Sequence, residues 1–352
     1  MGLAGRLKDT RDPLRRFIQS QFPHVDVIRN ELRGRASVLS FAPPDVEKYV
    51  YSRIGWALDY RLRHYFAASS PFETTAVRGA VQMTSRPEIV QEPGYLLDVM
   101  FKSSVDELSV LPESERRMYV LDNMDSLMEL TERLDRKGLS GAMMPLPIGF
   151  VALGRAMIAY IEEIAPVGRA LEADEEKRLC GMCYLLGHYE SARYKTGAIE
   201  SNRLIARIAN LKDVDAQLAL IPGVALDDVV NMSSCFSKIA HRLLGQKTVD
   251  NPHFPIGSFG WSVAEPDLVV GSTMIEIKTS PTLPTGLLFI YQLVGYLLAD
   301  TNDAYGITEV GWYLARYGAL ATWPVSEFLE KLAGQSVDLA SLRARVLPVD
   351  QW

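Results

Sequence analysis

Asp267, Glu276 and Lys278 are the residues of this chain whose types and spacing best suit catalysis at a phosphate. Paired carboxylates provide the hard oxygen ligands that Mg²⁺ takes in proteins, with water filling the remaining positions. A lysine beside them can orient the attacking water or stabilise negative charge that develops on a phosphate. The three side chains must share one surface for this chemistry, so the fold of the residues between them decides whether they form a site.

These intervening residues predict a tight β-hairpin. The stretch from Glu265 to Lys278 reads E-P-D-L-V-V-G-S-T-M-I-E-I-K, with a short apolar run on each side of Gly271-Ser272. Glycine at the first central position suits a two-residue type II′ turn. The cross-strand pairs that follow are Val270 with Thr273, Val269 with Met274, Leu268 with Ile275, Asp267 with Glu276, and Glu265 with Lys278.

The two faces of this hairpin differ in chemistry, because side chains alternate along a strand. The face expected in a core carries Leu268, Val270, Ile275 and Ile277, and the opposite face carries Glu265, Asp267, Glu276 and Lys278. Like charges directly opposed across strands are destabilising, and a divalent cation between Asp267 and Glu276 removes that conflict. The alternative is a solvated surface with a Glu–Lys pair. Val269 and Met274 share the charged face, which predicts partial burial and favours a site.

A second motif lies downstream, in the apolar run from Gly286 to Asp300, G-L-L-F-I-Y-Q-L-V-G-Y-L-L-A-D. Gln292 is the strongly polar side chain within this run, and Tyr296 follows at i+4 on the same helical face. Taken singly, Gln292 could be a core amide bonded to backbone and Tyr296 an ordinary core residue.

Together, Pro266-Asp267, the triplet Glu276-Ile277-Lys278 and the Gln-x-x-x-Tyr motif resemble the PD-(D/E)XK nuclease superfamily, in its RecB-like branch. The resemblance covers roughly residues 250–300. It implies an α/β/α core with a mixed sheet, and Mg²⁺ or Mn²⁺ bound by Asp267, Glu276 and the carbonyl of Ile277. It also implies that Lys278 assists the attacking water and that Gln292 and Tyr296 help position DNA or the metal site.

The pattern along the chain predicts an α+β or α/β protein in two parts. Residues 1–225 read as a mostly helical region, with helical spacing in the ranges 45–66, 105–137, 149–164, 172–194 and 198–211. Residues 226–352 read as the nuclease-like domain. It begins with a helix over 227–244, and strands are expected at 257–263, 304–317 and 318–323, with a last helix at 325–333.

The helical region has two candidates for a further polar group at the site. Residues 54–63 could form a first helix of the core, with His64 as the nearest histidine, or a helix of an accessory domain. Glu190 and Arg193 are a second candidate for an acidic contribution. Cys180-Gly181-Met182-Cys183 invites a metal site, but helical spacing around it favours buried apolar cysteines, and an iron–sulfur cluster needs four cysteines where this chain has 3.

Composition and charge limit the size of the core, the cellular compartment and the partners that can be expected. The chain has 352 residues and 48% hydrophobic content, enough for a sizeable core. So few cysteines argue against a disulfide framework and for a reducing cytoplasm, and neither a signal peptide nor a membrane span is expected. The net charge is −6, yet residues 1–63 carry 12 basic and 7 acidic residues. This basic segment is either an arm that faces nucleic acid or solvated amphipathic helix.

The expected function is a metal-dependent nuclease that hydrolyses phosphodiester bonds, with DNA as the nucleic-acid partner, in repair, restriction or phage defence. Protein partners or a homo-oligomer are further expectations. The alternatives are a nucleic-acid-binding or scaffold protein that keeps the nuclease fold without turnover, and a subunit active only in a complex. The presence of Asp267, Glu276 and Lys278 argues against the scaffold, because a protein without catalytic activity need not retain them.

Overall fold

A computed structural model describes most of the chain. The described residues are 3–36, 39–40, 42, 44–46, 48–66, 71, 74, 76, 79–80, 83, 93–95, 145–192, 199–240, 243–250, 252, 254–255 and 263–346. The helix expected over 105–137 and most of the strand expected over 257–263 therefore lie outside the described residues, as does Arg193.

The helices of the described residues fall into three groups along the chain. The first group is α1 Leu3–Lys8, α2 Pro13–Gln21, α3 Val25–Arg35 and α4 Lys48–Arg63. The second is α5 Ile148–Glu163, α6 Ala173–Ser191, α7 Ile199–Ala209, α8 Val214–Leu218 and α9 Gly223–Ala240. The third is α10 Leu287–Ala299, α11 Val325–Ala333 and α12 Leu339–Val346.

The strands of the described residues form one five-stranded sheet and two short pairs. The pairs are β1 Pro93–Tyr95 with β2 Pro145–Pro147, and β4 Phe254–Pro255 with β5 Val263–Ala264. The sheet contains β3 Thr248–Asp250, β6 Leu268–Val270, β7 Thr273–Lys278, β8 Glu309–Leu314 and β9 Ala319–Pro324, in the order β3-β6-β7-β8-β9. Only the β7–β8 pair is parallel among these five strands, and α10 lies between the two in sequence. The protein is thus a mixed α+β structure.

The sheet separates two apolar cores. On one face, alternate residues of the hairpin, Leu268, Val270, Ile275 and Ile277, join the core formed with α4, α6 and α9. On the other face, Val269 and Met274 join the core formed with α10, α11 and α12. The face predicted to be buried is therefore buried. The opposite face is more buried than its charged residues suggested, since Met274 is fully covered.

The first part of the basic N-terminal segment, residues 3–35, folds as three helices packed on the second core, whereas α4 packs on the first. Leu3 of α1 lies against Gly295 of α10, and α2 and α3 also contact α10. Asp12 caps α2 by accepting from Leu14 N–H, and it also pairs with Arg6. These are amphipathic helices with a buried apolar side. Whether their basic side faces nucleic acid stays a prediction.

Element boundaries in the C-terminal half follow the sequence patterns in part. The helix expected over 227–244 is α9, which begins four residues earlier, at Gly223, and residues 243–245 form a turn. The helix expected at 325–333 is α11, and the strand expected at 318–323 is β9 to within one residue at each end. The strand expected over 304–317 is shorter than predicted, because β8 begins at Glu309 and a 3₁₀ turn follows at Ala315–Tyr317. Strand β2, Pro145–Pro147, directly precedes α5 and pairs with β1. The division between residues 225 and 226 stays a prediction.

Candidate active site

The predicted hairpin forms with the predicted register. Leu268 pairs with Ile275, Val269 with Met274 and Val270 with Thr273. Gly271 has φ +61°, a conformation that favours glycine in the first turn position. Because this register is fixed, Asp267 stands at the start of β6 beside the last residues of β7.

Asp267, Glu276 and Lys278 form a connected group at this end of the hairpin. Lys278 Nζ donates to Glu276 Oε1 at 2.6 Å, and Ile277 N–H donates to Asp267 Oδ2 at 2.7 Å. The Glu276 side chain is 4% exposed, and its Oε2 has no hydrogen-bond partner. Buried polar atoms are nearly always paired, so this carboxylate oxygen is an exception that requires an explanation.

The electrostatics show that the two carboxylates interact. Burial and the charge of Asp267 raise the pKa of Glu276 from 4.5 to about 7, although Lys278 acts to lower it. Burial acts to lower the pKa of Lys278, but the charges of Glu276 and Asp267 outweigh it, and the pKa lies above its ordinary value. Lys278 is therefore a cation at neutral pH, while Glu276 is poised between its two protonation states.

Gln292 and Tyr296 of α10 reach the same site. Gln292 Nε2 donates to the Tyr296 hydroxyl at 2.7 Å, so the two residues of the second motif are bonded to each other. Burial raises the pKa of Tyr296 well above its ordinary value, and the charges of Glu276 and Asp267 raise it further. The Tyr296 hydroxyl is thus within electrostatic reach of both carboxylates. The Gln292 partner is a tyrosine rather than backbone, unlike the core amide considered above.

A third carboxylate, Asp59 of α4, joins this group and was not singled out by its sequence. Burial raises the pKa of Asp59 well above its ordinary value; Arg63 acts in the opposite direction, and the charges of Asp267, Glu190 and Glu276 raise it further. Its Oδ1 is buried with no hydrogen-bond partner. We call Asp59, Asp267 and Glu276 the acidic cluster.

Close packing brings α4 to the end of β7. A Cβ added to Gly55 would lie 3.2 Å from Thr279 Oγ1, one residue beyond Lys278. Because Gly55 and Asp59 are one turn apart on a helical face, this contact carries Asp59 toward the hairpin. The expectation that residues 54–63 supply a helix near the site agrees with this packing, but the side chain that faces the hairpin carboxylates is Asp59, and His64 lies buried beyond the end of α4.

Glu190 of α6 lies behind the acidic cluster. Its Oε2 accepts from the Tyr60 hydroxyl at 2.7 Å, and its charge contributes to the raised pKa of Asp59. Arg63 forms an ion pair with Asp59 on the same helix, at i+4. Among the described residues, the carboxylates Asp59, Glu190, Asp267 and Glu276 interact with one another, Glu265 acts on nearby Tyr296, and the cations Arg63 and Lys278 pair with Asp59 and Glu276.

Two buried ion pairs fix the elements around the site. Arg316, which is fully buried, donates to both oxygens of Asp228 on α9 at 2.8 and 2.7 Å, and its Nε donates to the Thr279 carbonyl at 2.7 Å. Arg61 of α4 donates to both oxygens of Glu176 on α6 at 2.8 and 2.7 Å. The first network anchors the chain just past Lys278, and the second anchors α4.

The cysteines belong to this structural framework. Cys180 and Cys183 are fully buried in α6, and Cys180 Sγ lies 3.4 Å from Glu176 Oε1. All three cysteines are free, and burial raises the pKa of both Cys180 and Cys183. They behave as small buried apolar side chains, which is the structural alternative drawn from the helical spacing.

The acidic cluster fits a hard divalent cation in charge and in donor type. Asp59 and Glu276 each have one buried oxygen without a hydrogen-bond partner, and carboxylate oxygens are the ligands that Mg²⁺ prefers. Among the described residues, however, no three His, Cys, Asp or Glu side chains are already gathered in the arrangement of a metal site. Mg²⁺ typically binds one or two carboxylates and keeps several waters, so a full protein cage is not required.

Comparisons with known proteins add no relative. No protein-family model matches the chain, and neither a curated protein nor a solved structure gives a significant match. Within the described ranges, no helix has the length and apolar character needed to cross a membrane.

Proposed function

We propose that this protein is a Mg²⁺- or Mn²⁺-dependent nuclease that hydrolyses phosphodiester bonds in DNA. The observation that carries the proposal is the state of Glu276. Its carboxylate is almost fully buried, is bonded to Lys278 through one oxygen, has its other oxygen unpaired, and interacts electrostatically with Asp267 and Asp59. Such an arrangement is costly unless a ligand of positive charge completes it.

The sheet supports assignment to a PD-(D/E)XK core. Antiparallel β3, β6 and β7 precede α10, and β8 then returns parallel to β7. The residues of both motifs meet at the same part of this sheet, with Asp267 and Glu276 on the hairpin and Tyr296 on the helix that follows it. This is the order of elements that the resemblance implies. Helices on both faces complete the three layers.

Each residue of the site has a proposed role that follows from its position. Asp267 and Glu276 bind the cation, with the carbonyl of Ile277 as a further ligand. When bound, the cation supplies Lewis-acid polarisation of the phosphate and lowers the pKa of a coordinated water. Lys278 donates hydrogen bonds to the attacking water or to the phosphate, where charge develops.

The remaining polar groups hold this arrangement. Asp59 adds a carboxylate oxygen from α4, and Arg63 keeps it in place through their ion pair. Tyr296, bonded to Gln292, presents a hydroxyl to the carboxylates or to a DNA phosphate. We therefore place cation binding on the hairpin and α4, and substrate positioning on α10.

A cleavage assay tests this proposal directly. Purified full-length protein is incubated with labelled single-stranded DNA, double-stranded DNA and RNA, each with Mg²⁺, with Mn²⁺ and with EDTA. Cleavage of DNA with either cation and none with EDTA is the expected result. Equal cleavage with EDTA, or no cleavage of any substrate while the protein binds DNA, contradicts the nuclease and favours a binding protein.

A further inference from the structure

Phe289 is an exposed aromatic side chain beside the proposed catalytic lysine. It lies in the first turn of α10 and is 37% exposed. The Lys278 Nζ lies 5.4 Å from the centre of its ring. Among the large hydrophobic residues that the described part of the chain leaves exposed, Phe289 is the only aromatic one.

The position of this ring distinguishes it from ordinary surface apolar groups. The other exposed large hydrophobics lie elsewhere, namely Val27, Leu39, Val167, Val224 and Leu244. Neighbouring Leu287 and Leu288 of the same helix turn pack against the core, whereas Phe289 turns toward Lys278 and solvent. Its exposed ring therefore lies next to Lys278 of the proposed site.

One cation, Lys278, lies over the ring, and a second, Arg29, is anchored just before the same helix. Arg29 of α3 donates from Nε to the Thr285 carbonyl at 2.6 Å, immediately before α10. Its side chain is 25% exposed and pairs with Asp26 at 2.6 Å, so a guanidinium group lies at the loop before α10. An aromatic ring beside a cation is a combination that proteins use to hold single-stranded nucleic acid, with bases stacked on the ring and phosphates near the charge.

We infer that Phe289 stacks on an unpaired base next to the phosphate held at Lys278, which makes single-stranded nucleic acid the preferred substrate. The inference rests on the proposed function, because that function places a phosphate at Lys278. Any base offers a π-face, so stacking confers no sequence preference. In a continuous duplex both faces of each base are already stacked, and the ring has no base face to contact.

Binding measured with EDTA isolates this contribution from cleavage. The probes are a labelled twenty-nucleotide strand of thymidines, the same backbone without bases, the uridine RNA equivalent and a blunt duplex. The proteins are wild type, Phe289→Ala, Phe289→Trp and the control Val224→Ala, which changes an exposed apolar residue in the first turn of α9. Both sites are exposed, so little loss of stability is expected.

Phe289→Ala is expected to weaken binding of the thymidine strand by about 5- to 150-fold, the equivalent of roughly 1–3 kcal/mol per stacked base. Phe289→Trp should bind this strand within about threefold of wild type, because it keeps an aromatic ring. Val224→Ala should also bind it within about threefold of wild type, because it leaves Phe289 unchanged. The backbone without bases and the blunt duplex should bind all four proteins alike. Phe289→Ala should weaken binding of the RNA strand as much as binding of the DNA strand, because the bases of both offer a π-face.

Three results overturn the inference. They are unchanged binding of the thymidine strand by Phe289→Ala, an equal loss on the strand without bases, and failure of wild type to bind the single strand at all. None of these depends on cleavage, so the proposed nuclease can stand while the stacking role fails. Conversely, Phe289→Ala could show the expected loss of single-strand binding while wild type cuts no substrate with Mg²⁺ or Mn²⁺. That result contradicts the proposed nuclease and supports a nucleic-acid-binding role for Phe289.

Discussion

Lys278 holds one oxygen of Glu276 at 2.6 Å, while the other oxygen of this buried carboxylate has no hydrogen-bond partner. The lysine satisfies half of the group, and the charges of Asp267 and Asp59 interact unfavourably with it. An ionised carboxylate in this environment destabilises the cation-free protein, and under the proposed function a bound cation would offset that cost. Several properties of the protein depend on that difference.

Divalent cations should stabilise the protein more at alkaline than at acidic pH. Burial and Asp267 raise the pKa of Glu276 from 4.5 to about 7, so the folded protein binds this proton more tightly than the unfolded chain. The free energy of unfolding of the cation-free protein should therefore fall as pH rises from about 4.5 to about 7, by about 1–3 kcal/mol from this group. Thermal unfolding with Mn²⁺ and with EDTA at pH 5.5 and pH 8 measures the effect.

Glu276→Gln supplies the control for this pH dependence. The variant keeps the shape of the side chain but cannot ionise, so it should unfold at a higher temperature than wild type at pH 8 with EDTA. It should also lose the stabilisation by Mn²⁺. Glu327→Gln, on an exposed helical face, should behave as wild type. A lower melting temperature for Glu276→Gln, with Mn²⁺ stabilisation intact, would show that Glu276 is only a structural partner of Lys278.

Asp59→Asn should weaken cation binding although Asp59 lies far from the hairpin in sequence. Loss of one carboxylate from the acidic cluster is expected to lower the affinity for Mn²⁺ by about 10- to 100-fold, as for other groups that support metal sites. Calorimetric titration measures this affinity. Asp26→Asn, at an exposed position of α3, is the control. If the two variants bind Mn²⁺ equally well, Asp59 is a structural partner of Arg63.

Asp227 and Asp228 are adjacent but should differ sharply in their contribution to stability. Asp228 forms a buried pair with Arg316, whereas Asp227 forms an exposed pair with Lys177. Asp228→Ala leaves a buried guanidinium without its carboxylate and should lower the free energy of unfolding by about 3–5 kcal/mol. Asp227→Ala should lower it by about 0–1 kcal/mol. Urea unfolding compares them, and equal losses would show that the Arg316 network does not anchor the chain at Thr279.

Gln292→Ala and Gln217→Ala should separate a site residue from a core residue of the same type. Gln292 is half-buried and bonds Tyr296, whereas Gln217 is fully buried and bonds the carbonyls of Gly149 and Leu211. Loss of Gln292 should impair cleavage or DNA binding more than it lowers the melting temperature. Loss of Gln217 should lower the melting temperature. At temperatures where the variant stays folded, the rate of DNA cleavage should equal that of wild type. The opposite pattern would make the Gln-x-x-x-Tyr motif a packing feature.

The hairpin could be predicted from sequence because its determinants are local. Gly271 fixes the turn and strict alternation fixes the register, which together place Asp267 beside the end of β7. The packing of α1–α3 on α10 depends on contacts between residues more than 250 positions apart, such as Arg29 with Thr285, and no local pattern encodes it. The amphipathic pattern of those helices shows only that each has an apolar side to bury.

Asp59 shows why one site residue escaped prediction. Asp59 and Arg63 are spaced i, i+4 on a helix, which is the usual pattern of a solvated ion pair. Its environment becomes unusual only because Gly55 lets α4 approach Thr279, a contact between residues more than 200 positions apart. The small residue one turn before an acidic one is the signal available in the sequence, and by itself it is weak.

The initial rate of DNA cleavage by Lys278→Ala tests the central claim most directly. Lys278 is proposed to act on the attacking water or the phosphate, and removal of such a group typically costs a factor of about 10²–10³ in rate. We predict at least that loss with Mn²⁺, with circular dichroism showing an intact fold, while Lys177→Ala, which changes an exposed lysine, keeps the wild-type rate. Cleavage at the wild-type rate by Lys278→Ala would contradict the assignment of this site as a nuclease centre.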